Sequence, residues 1–425
     1  MTALKPYPEY KDSGIEWLGW VPAHWTVQPI SSIASVRTSN VDKKSYADEQ
    51  DVRLCNYTDV YYNDVIRPDM SFMQATASDA QVASFTLLSG DTVITKDSET
   101  PNDIGLSAFV AEALQGVVCG YHLAVYRPRR IAHGAYIKRL FDSSYLKAML
   151  EVSAQGVTRV GLPKAALRGF PVPVPPEDEA VRISSFLDHE TFEIDAFIAD
   201  QQELVRLLNE RRRSIMDTVT AASSGPMVRL RYLFDQSRKC NNSALEVLSV
   251  YRDHGVIPKS SRTDNLNKTP EDVSRYLVVR PGYVVVNKMK AWQGSLAVSE
   301  YGGIVSPDYE VLKPSTDRLL GEYVHYLLRS PRLISEYALR SVGIRPSQWR
   351  LYWDQLGDIA IPVPSIHDQH EIAMHLTEAV AEIDAAIADA RKAIELSKER
   401  RAALISAAVT GKIDVRDDSA AKGAA

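Results

Sequence analysis

Glu193 to Asp200 reads EIDAFIAD, and 189 residues later Glu382 to Asp389 reads EIDAAIAD, with seven of the eight positions alike. A repeat at a fixed, long offset means that one structural unit is built twice in the same chain. Other residues obey the same offset. Pro173-Val174-Pro175 matches Pro362-Val363-Pro364, Ile183 matches Ile372, Leu187 matches Leu376, and Glu210-Arg211-Arg212 matches Glu399-Arg400-Arg401. The prolines close an extended segment and precede a helix start. Glu177, Asp178 and Glu179 fill the first turn of copy one, where a helix dipole favours acids. In copy two Ser365 stands at a cap position, with Asp368 three residues on. Ser223-Ser224-Gly225-Pro226 and Gly411 mark the two helix ends.

A 4,3 spacing runs through each copy. In the first it selects Ile183, Leu187, Glu190, Ile194, Phe197, Gln201, Leu204, Leu208, Arg211 and Ile215. In the second it selects Ile372, Leu376, Ala379, Ile383, Ala386, Ala390, Ala393, Ser397, Arg400 and Leu404. That is a coiled-coil seam, bulky in one copy and alanine-rich in the other, so the two helices are expected to pair. A register with Ile183 facing Leu404 is adopted as an assumption. The segments between the helices repeat more faintly: SGDTVITK (89–96) resembles PGYVVVNK (281–288), GVVCGYHLAVYRP (116–128) resembles GGIVSPDYEVLKP (302–314), and AYIKRLFDSS (135–144) resembles EYVHYLLRSP (322–331). These β-branched runs, bounded by Gly or Pro, read as strands followed by one short helix.

Charge follows the repeat. The segment 173–227 holds five basic and eleven acidic residues, whereas 228–364 holds nineteen and fourteen, in a chain of net charge −5. A polyanion would therefore be met by the segments between the helices. Hydrophobic content of 45% and charged content of 24% suit a globular protein. No apolar run reaches the ~18 residues of a membrane span, and the start lacks a signal-peptide core. Cys55, Cys119 and Cys240 are odd in number and far apart, which reads as three free thiols in a reducing compartment.

The catalytic motifs that a chain of 425 residues could carry are missing. His370 and His375 sit five apart, not the four that puts two ligands on one helix face. Asp308, Glu310 and Lys313 approach a nuclease spacing, but the last two are separated by one residue too many. There is no phosphate-cradling G-x-x-x-x-G-K-[ST] loop and no nucleophile elbow.

Several longer stretches resemble the specificity (S) subunit of type I restriction–modification systems. They are YKDSGIEWLGWVPAHW (10–25), NKMKAWQGSLAVSEYGGIVSPDYEVLKP (287–314), NERRRSIMDTVTA with the PVPVPP and EIDAFIAD stretches before it, and IPVPSIHDQHEIAMHL with KERRAALISAAVTGKIDV. The resemblance implies an α+β chain: two globular α/β target-recognition domains related by pseudo-two-fold symmetry and separated by two long antiparallel coiled-coil helices. The expected division is an N-terminal segment 1–24, recognition domain 1 at 25–172, the central helix at 173–224, recognition domain 2 at 225–364, the distal helix at 365–412, and a disordered tail at 413–425.

Each domain would read half of a split site on double-stranded DNA, and the helices would bind two methyltransferase (M) subunits. Restriction/translocase (R) subunits would join in the bacterial cytosol. S-adenosylmethionine, ATP and Mg would belong to those partners, with no cofactor, metal or catalytic residue in this chain. A modification-only or solitary system, a fused nuclease or methyltransferase, and a scaffold without DNA stay open as alternatives. Base edges and phosphates call for bidentate donors and cations. The candidates are Arg37, Asn40, Lys43, Lys44, Lys96 and Arg159 in the first domain. In the second they are Lys288, Lys290, Trp292, Gln293, Arg345, Gln348 and Arg350. The helix interface is expected at Ile183, Leu187, Ile194, Phe197, Leu204, Leu208, Ile372, Leu376, Ile383, Ala386, Ala390 and Leu404.

Overall fold

The valine-rich runs between the helices form the centres of two sheets. In the computed structural model, which describes residues 5–221, 223–240, 242, 244–252, 254–262 and 268–418, the chain divides into two units. Unit 1 is Met1–Asp200 with Ala393–Ala425, and unit 2 is Gln201–Lys392.

In unit 1 the main sheet has the order Ala34–Thr38, Leu123–Pro128, Thr92–Thr95, Ser107–Val110, Val65–Ile66. In unit 2 the order is Phe234–Gln236, Tyr309–Pro314, Val284–Asn287, Leu296–Val298. The first four strands of unit 1 thus have counterparts in the same order, all antiparallel. The fifth, Val65–Ile66, joins in parallel to Ser107–Val110 and has no equivalent among the described residues of unit 2. Thr92–Thr95 and Val284–Asn287 are almost wholly buried, so these continuous apolar runs are central strands covered on both faces.

A short helix follows the sheet in each unit, Gly134–Asp142 and Gly321–Leu328. Its buried tyrosine donates to a proline carbonyl just before the long helix: Tyr136 to Pro173 at 2.8 Å, and Tyr323 to Pro362 at 3.1 Å. Ser143 and Ser330 then cap the next helix through Leu146 N–H and Leu333 N–H. Those prolines lie in two-stranded edges, Thr26–Pro29 with Pro171–Val174 and Met227–Arg229 with Ala360–Pro362, where a missing N–H is tolerated.

The long helices are Glu177–Ala221 and Ile366–Val409. Ser365 Oγ accepts from Asp368 N–H at 3.2 Å, and Gly411, at φ 72°, turns the chain out of the second helix. In unit 1, Ile183, Phe186 and Leu187 share a core with Ile405, Ala408 and Val409, while further along Asp195 meets Arg401 at 2.9 Å, so the helices run antiparallel. Unit 2 repeats the contact: Arg212 meets Asp384 at 2.7 Å. The 189-residue offset maps each of these ion pairs onto the other. The register with Ile183 opposite Leu404 is corrected by them, since it would set Arg212 against His375.

The seam has the expected period but half of it is displaced by one residue. Ile183, Leu187, Ile194, Leu376, Ile383 and Ala390 are buried, and Leu208, Ile372, Ala386 and Leu404 are half-buried. Phe197 and Leu204, by contrast, are 45% and 40% exposed. The positions turned inward are Thr191, Ile198, Val205 and Arg212 in the first helix and Val380, Ile387, Ile394 and Arg401 in the second. The same shift in both copies brings isoleucines into both seams, which removes the expected contrast of bulky against alanine-rich. Phe197 and Leu204 attract the seam by size alone.

The segment 413–425 is not uniformly a disordered tail. Asp414 N–H donates to Lys5 O at 2.7 Å and Val415 is fully buried beside Trp25 and Val21; residues 419–425 lie outside the described residues. The N-terminal segment belongs to the same core. Glu179, 3% exposed, accepts from Tyr7 Oη at 2.6 Å, from Trp25 Nε1 at 3.0 Å and from His24 Nε2 at 2.8 Å. Burial and the Glu179 carboxylate push the Tyr7 hydroxyl well above its usual range.

Candidate nucleic-acid interface

Each unit has a cleft lined by cations and amides. In unit 1 it measures about 520 Å³ and is lined by Asn40, Gln81, Lys96, Tyr121 and Lys164, with no carboxylate among its described lining residues. Lys96 lies 5.0 Å from the Tyr121 ring centre and 2.7 Å from Asp97, itself engaged by His122 Nδ1 at 2.9 Å. Asn40 Oδ1 accepts from Gln81 Nε2 at 3.3 Å. Arg37 is turned away: its guanidinium donates to Ser84 O at 2.8 Å and braces the helix behind the cleft. Lys43 and Lys44 are exposed on the loop after Asn40, and Arg159 is exposed on a separate loop.

The unit 2 cleft is larger, about 800 Å³, and its lining includes Arg252, Lys259, Arg262, Lys268 and Lys290. Asp308 is the one carboxylate among its described lining residues. Gln293 and Lys290 stand on its rim. Trp292 is half-buried, stacks edge-on to Trp349 at 5.4 Å and donates to Met289 O at 3.0 Å, so it supports the loop that holds Lys290 and Gln293. Lys288 is folded back onto Pro307 O at 2.7 Å and Glu310 at 3.8 Å, and Arg350 onto Asp308 at 3.1 Å. Asp308 and Glu310, which approached a nuclease spacing, are thus each held by a cation. His370 and His375 are both exposed along the helix.

Arg345 and Gln348 occupy a closed loop. Val342 and Arg350 form its neck, and Ile344 is 95% exposed at its tip. A Cβ at Gly343 would lie 2.7 Å from Gln348 O, so glycine is required for the loop to close. Unit 1 builds the same device: Gln155 and Gly161 form the neck, Gly156 follows at φ 134°, and Val157 and Arg159 are exposed. The candidates therefore sort into cleft residues (Asn40, Lys96, Lys290, Gln293), loop-tip residues (Arg159, Arg345, Gln348), exposed loop lysines (Lys43, Lys44) and bracing residues (Arg37, Lys288, Trp292, Arg350). Gln81, Lys164, Lys259, Arg262 and Lys268 were not singled out in the sequence. They come from separate elements and share no spacing, so only the fold collects them.

Cys55 and Cys119 are buried, where desolvation raises both thiols, and Cys240 is exposed; all three are free. No helix among the described residues is long and apolar enough to cross a membrane.

No family model matches the sequence, and no curated protein matches it. Solved structures do match. The HsdS subunit from Thermoanaerobacter tengcongensis aligns over 92% of this chain and 98% of its own, at 17% identity and a TM-score of 0.53. A chain from a structure of complex assembly and conformational transition in the type I R-M system aligns over 92% and 99%, at 18% identity and a TM-score of 0.63. This chain has their fold. At such identity the likeness concerns the arrangement of sheets and helices, and leaves function to the site.

Proposed function

We propose that this chain is the DNA-specificity subunit of a type I restriction–modification complex. The observation that carries the reading is the duplicated recognition unit, with one cation-lined cleft and one closed loop in each copy, on a fold shared with HsdS. A split target needs two readers, and duplication supplies them. Lys43, Lys44, Lys96, Lys259, Arg262 and Lys268 would contact phosphates. Asn40, Gln81, Gln293 and Gln348, which carry both donors and acceptors, and Arg345, which carries donors only, would face base edges. The recognition segments are 25–172 and 225–364, and the long helices set the spacing between half-sites. Phe192, Phe197, Leu204, Leu207, Met374 and Leu396 are left exposed on those helices. Phe192, Phe197 and Leu396 in unit 1, and Leu204, Leu207 and Met374 in unit 2, would each serve to dock one methyltransferase subunit. Those partners would supply S-adenosylmethionine and the methyl transfer, restriction subunits would supply ATP hydrolysis and Mg, and the assembly would work in the cytoplasm.

The test exchanges residues 228–361 for the matching segment of another specificity subunit and maps methylated sites by sequencing. One half of the methylated sequence should change and the other should stay. Change in both halves, or methyl transfer by the purified chain alone, would overturn the reading.

A further inference from the structure

Val157 is fully exposed and Ile344 is 95% exposed, and no other large hydrophobic side chain among the described residues reaches these values. An exposed apolar residue is ordinary, and taken singly neither would call for an explanation. Their places make them a pair. Each follows a glycine in the loop just after the second short helix of its unit, Ser144–Ser153 in unit 1 and Pro331–Arg340 in unit 2. They lie 187 residues apart, the offset that also relates Tyr136 to Tyr323. The loops otherwise differ, QGVTRVG against VGIRPSQWR. What they share is the glycine, the β-branched residue after it, and an arginine one or two residues further on.

Both loops hold that side chain in place. In unit 1 the neck is closed by Gln155 N–H to Gly161 O at 3.0 Å and Gly161 N–H to Gln155 O at 2.8 Å. In unit 2 Val342 and Arg350 exchange the same two bonds at 3.0 Å each. The residue after each neck is then tied to the matching lysine: Leu162 N–H donates to Lys96 O and Leu351 N–H to Lys288 O, both at 2.9 Å. A Cβ on Gly156 would lie 2.1 Å from Arg159 O, and one on Gly343 2.7 Å from Gln348 O, so each loop folds back onto its own glycine. In unit 2 the foot is also braced by Trp349 against Trp292. The feet adjoin the clefts. Leu162 lines that of unit 1 beside Lys96, and Met289 and Lys290, next to Lys288, line that of unit 2. Neither loop contains a carboxylate, and Arg159 and Arg345 are exposed beside the tips.

We propose that Val157 and Ile344 are wedges that enter the minor groove of DNA and press between neighbouring base pairs, one in each half-site. The inference rests on the reading of the chain as a DNA-specificity subunit. A wedge needs an apolar side chain presented to the bases, a support stiffer than the stack it opens, and a cation beside it for the phosphates of a narrow groove. Each loop supplies all three. An apolar tip gains nothing against phosphate or in water, whereas between base pairs it leaves water on both sides. A slack loop would yield before the stack does, which is what the closed neck and the glycine prevent. The consequence is a kink toward the major groove, favoured where a pyrimidine–purine step unstacks readily, so that sequence is read at a step without a hydrogen bond. Isoleucine is larger than valine, so the half-site under unit 2 is the more distorted. DNA offers an apolar tip one other partner, the thymine methyl in the major groove, but contact there needs no stiff support and leaves the stack undisturbed.

The experiment uses the full chain assembled with its methyltransferase subunits, and target duplexes in which 2-aminopurine replaces one purine at a time, the methylated base excepted. The fluorescence of this probe rises when the step beside it unstacks. The parent assembly should brighten the probe at one step in each half-site. Ile344→Ala, at an exposed position that leaves the fold intact, should abolish the signal in one half-site and weaken binding ~10-fold. Val157→Ala should abolish it in the other half-site and weaken binding ~3-fold, while Ile344→Leu keeps both signals. A target with uracil in place of thymine, which lacks the major-groove methyls, should bind the parent as tightly as the ordinary target. A loss of affinity with uracil that Ile344→Ala no longer shows assigns the tip to a thymine methyl and overturns the wedge. A probe signal that is the same in the parent and both alanine variants overturns it too. An assembly that binds and methylates its target without brightening any probe overturns the wedge alone, and one that binds no target overturns the DNA reading with it.

Discussion

The two units solve one problem, anchoring the start of a long helix, in chemically different ways. Unit 1 buries a carboxylate: Glu179 receives the side chains of Tyr7, Trp25 and His24. Unit 2 buries a neutral amide: Gln369, fully enclosed, accepts from Leu320 N–H at 2.8 Å and donates to Arg318 O at 2.8 Å and Pro364 O at 3.0 Å. The apolar scaffold around each is much the same, down to the tyrosine–proline contact. What the fold demands is that the buried polar atoms be satisfied; which groups satisfy them is free to differ. The charged solution ties in side chains 154 to 172 residues away, while the neutral one ties backbone 49 and 51 residues away and the Pro364 carbonyl beside it.

The comparison is most exposed at Glu179. Glu179→Ala leaves a phenol, an indole and an imidazole without their acceptor, and should cost about 3–5 kcal/mol. Gln369→Ala should cost about 1–3 kcal/mol, as expected for neutral partners. Denaturant titrations read by hydrogen exchange of peptides from each unit would show whether the charged anchor is the costlier one to lose.

A second difference is acid sensitivity. Burial, reinforced by the Arg329 charge, lowers His325 to about 4, against a slight opposing effect of the Val298 carbonyl. The unfolded chain takes up this proton near pH 6.5 and the folded chain only near 4, so stability is full above pH 6.5 and falls as pH drops through that window. The loss should approach 3 kcal/mol, or roughly 1.4 kcal/mol per unit of pH at most, and it should vanish in His325→Gln. Unit 1 carries a lysine at this position, but its buried His133 is likewise lowered by desolvation, so unit 1 has an acid sensitivity of its own that His325→Gln leaves unchanged. Acid sensitivity of unit 2 that persists in His325→Gln would remove His325 as the cause.

Third, Asp142→Ala should destabilise unit 1 by about 2 kcal/mol, since Lys138 is nearly buried and keeps only the longer contact to Asp64. Arg329→Ala, the matching change in unit 2, should cost less, about 1 kcal/mol, since it removes the bonds to Arg252 O and His325 Nε2 and not a buried ion pair. The smallest effect belongs to the long helices. Phe197→Ala should change stability by less than ~0.5 kcal/mol, being exposed, yet it should weaken assembly with the methyltransferase subunits if these helices dock them. A large loss of stability would put Phe197 back in the seam.

Much of this architecture can be read from the repeat alone. The strand runs, the short helix and the long helices fall where the paired stretches 89–96 and 281–288, and the two Pro-Val-Pro segments, place them. The period of the seam is legible too, because 4,3 spacing is a property of the helix. Its phase is not. Ile387 and Ile394 mark the inward face in copy two, but Phe197 and Leu204 outweigh Ile198 and Val205 by size in copy one. Bulk measures what could be buried, not what is. The clefts are less legible still. Lys164 approaches Lys96, and Lys268 approaches Lys290, only through tertiary structure, and a lysine destined for solvent has the same local sequence as one that lines a cleft.

The Lys5–Asp414 contact joins two stretches of unit 1 that are separated by all of unit 2. During synthesis unit 2 is a continuous piece and can close as soon as it leaves the ribosome. Unit 1 waits. Its core includes Ile405, Ala408, Val409 and Val415, which are made only after the intervening stretch, a delay of roughly 10–40 s at ~5–20 residues per second. Through that interval Ile183, Phe186 and Leu187 lack the part of their cover that Ile405, Ala408 and Val409 supply. The first half of the chain to be made is therefore the last to be finished, and it is the half for which a chaperone would matter.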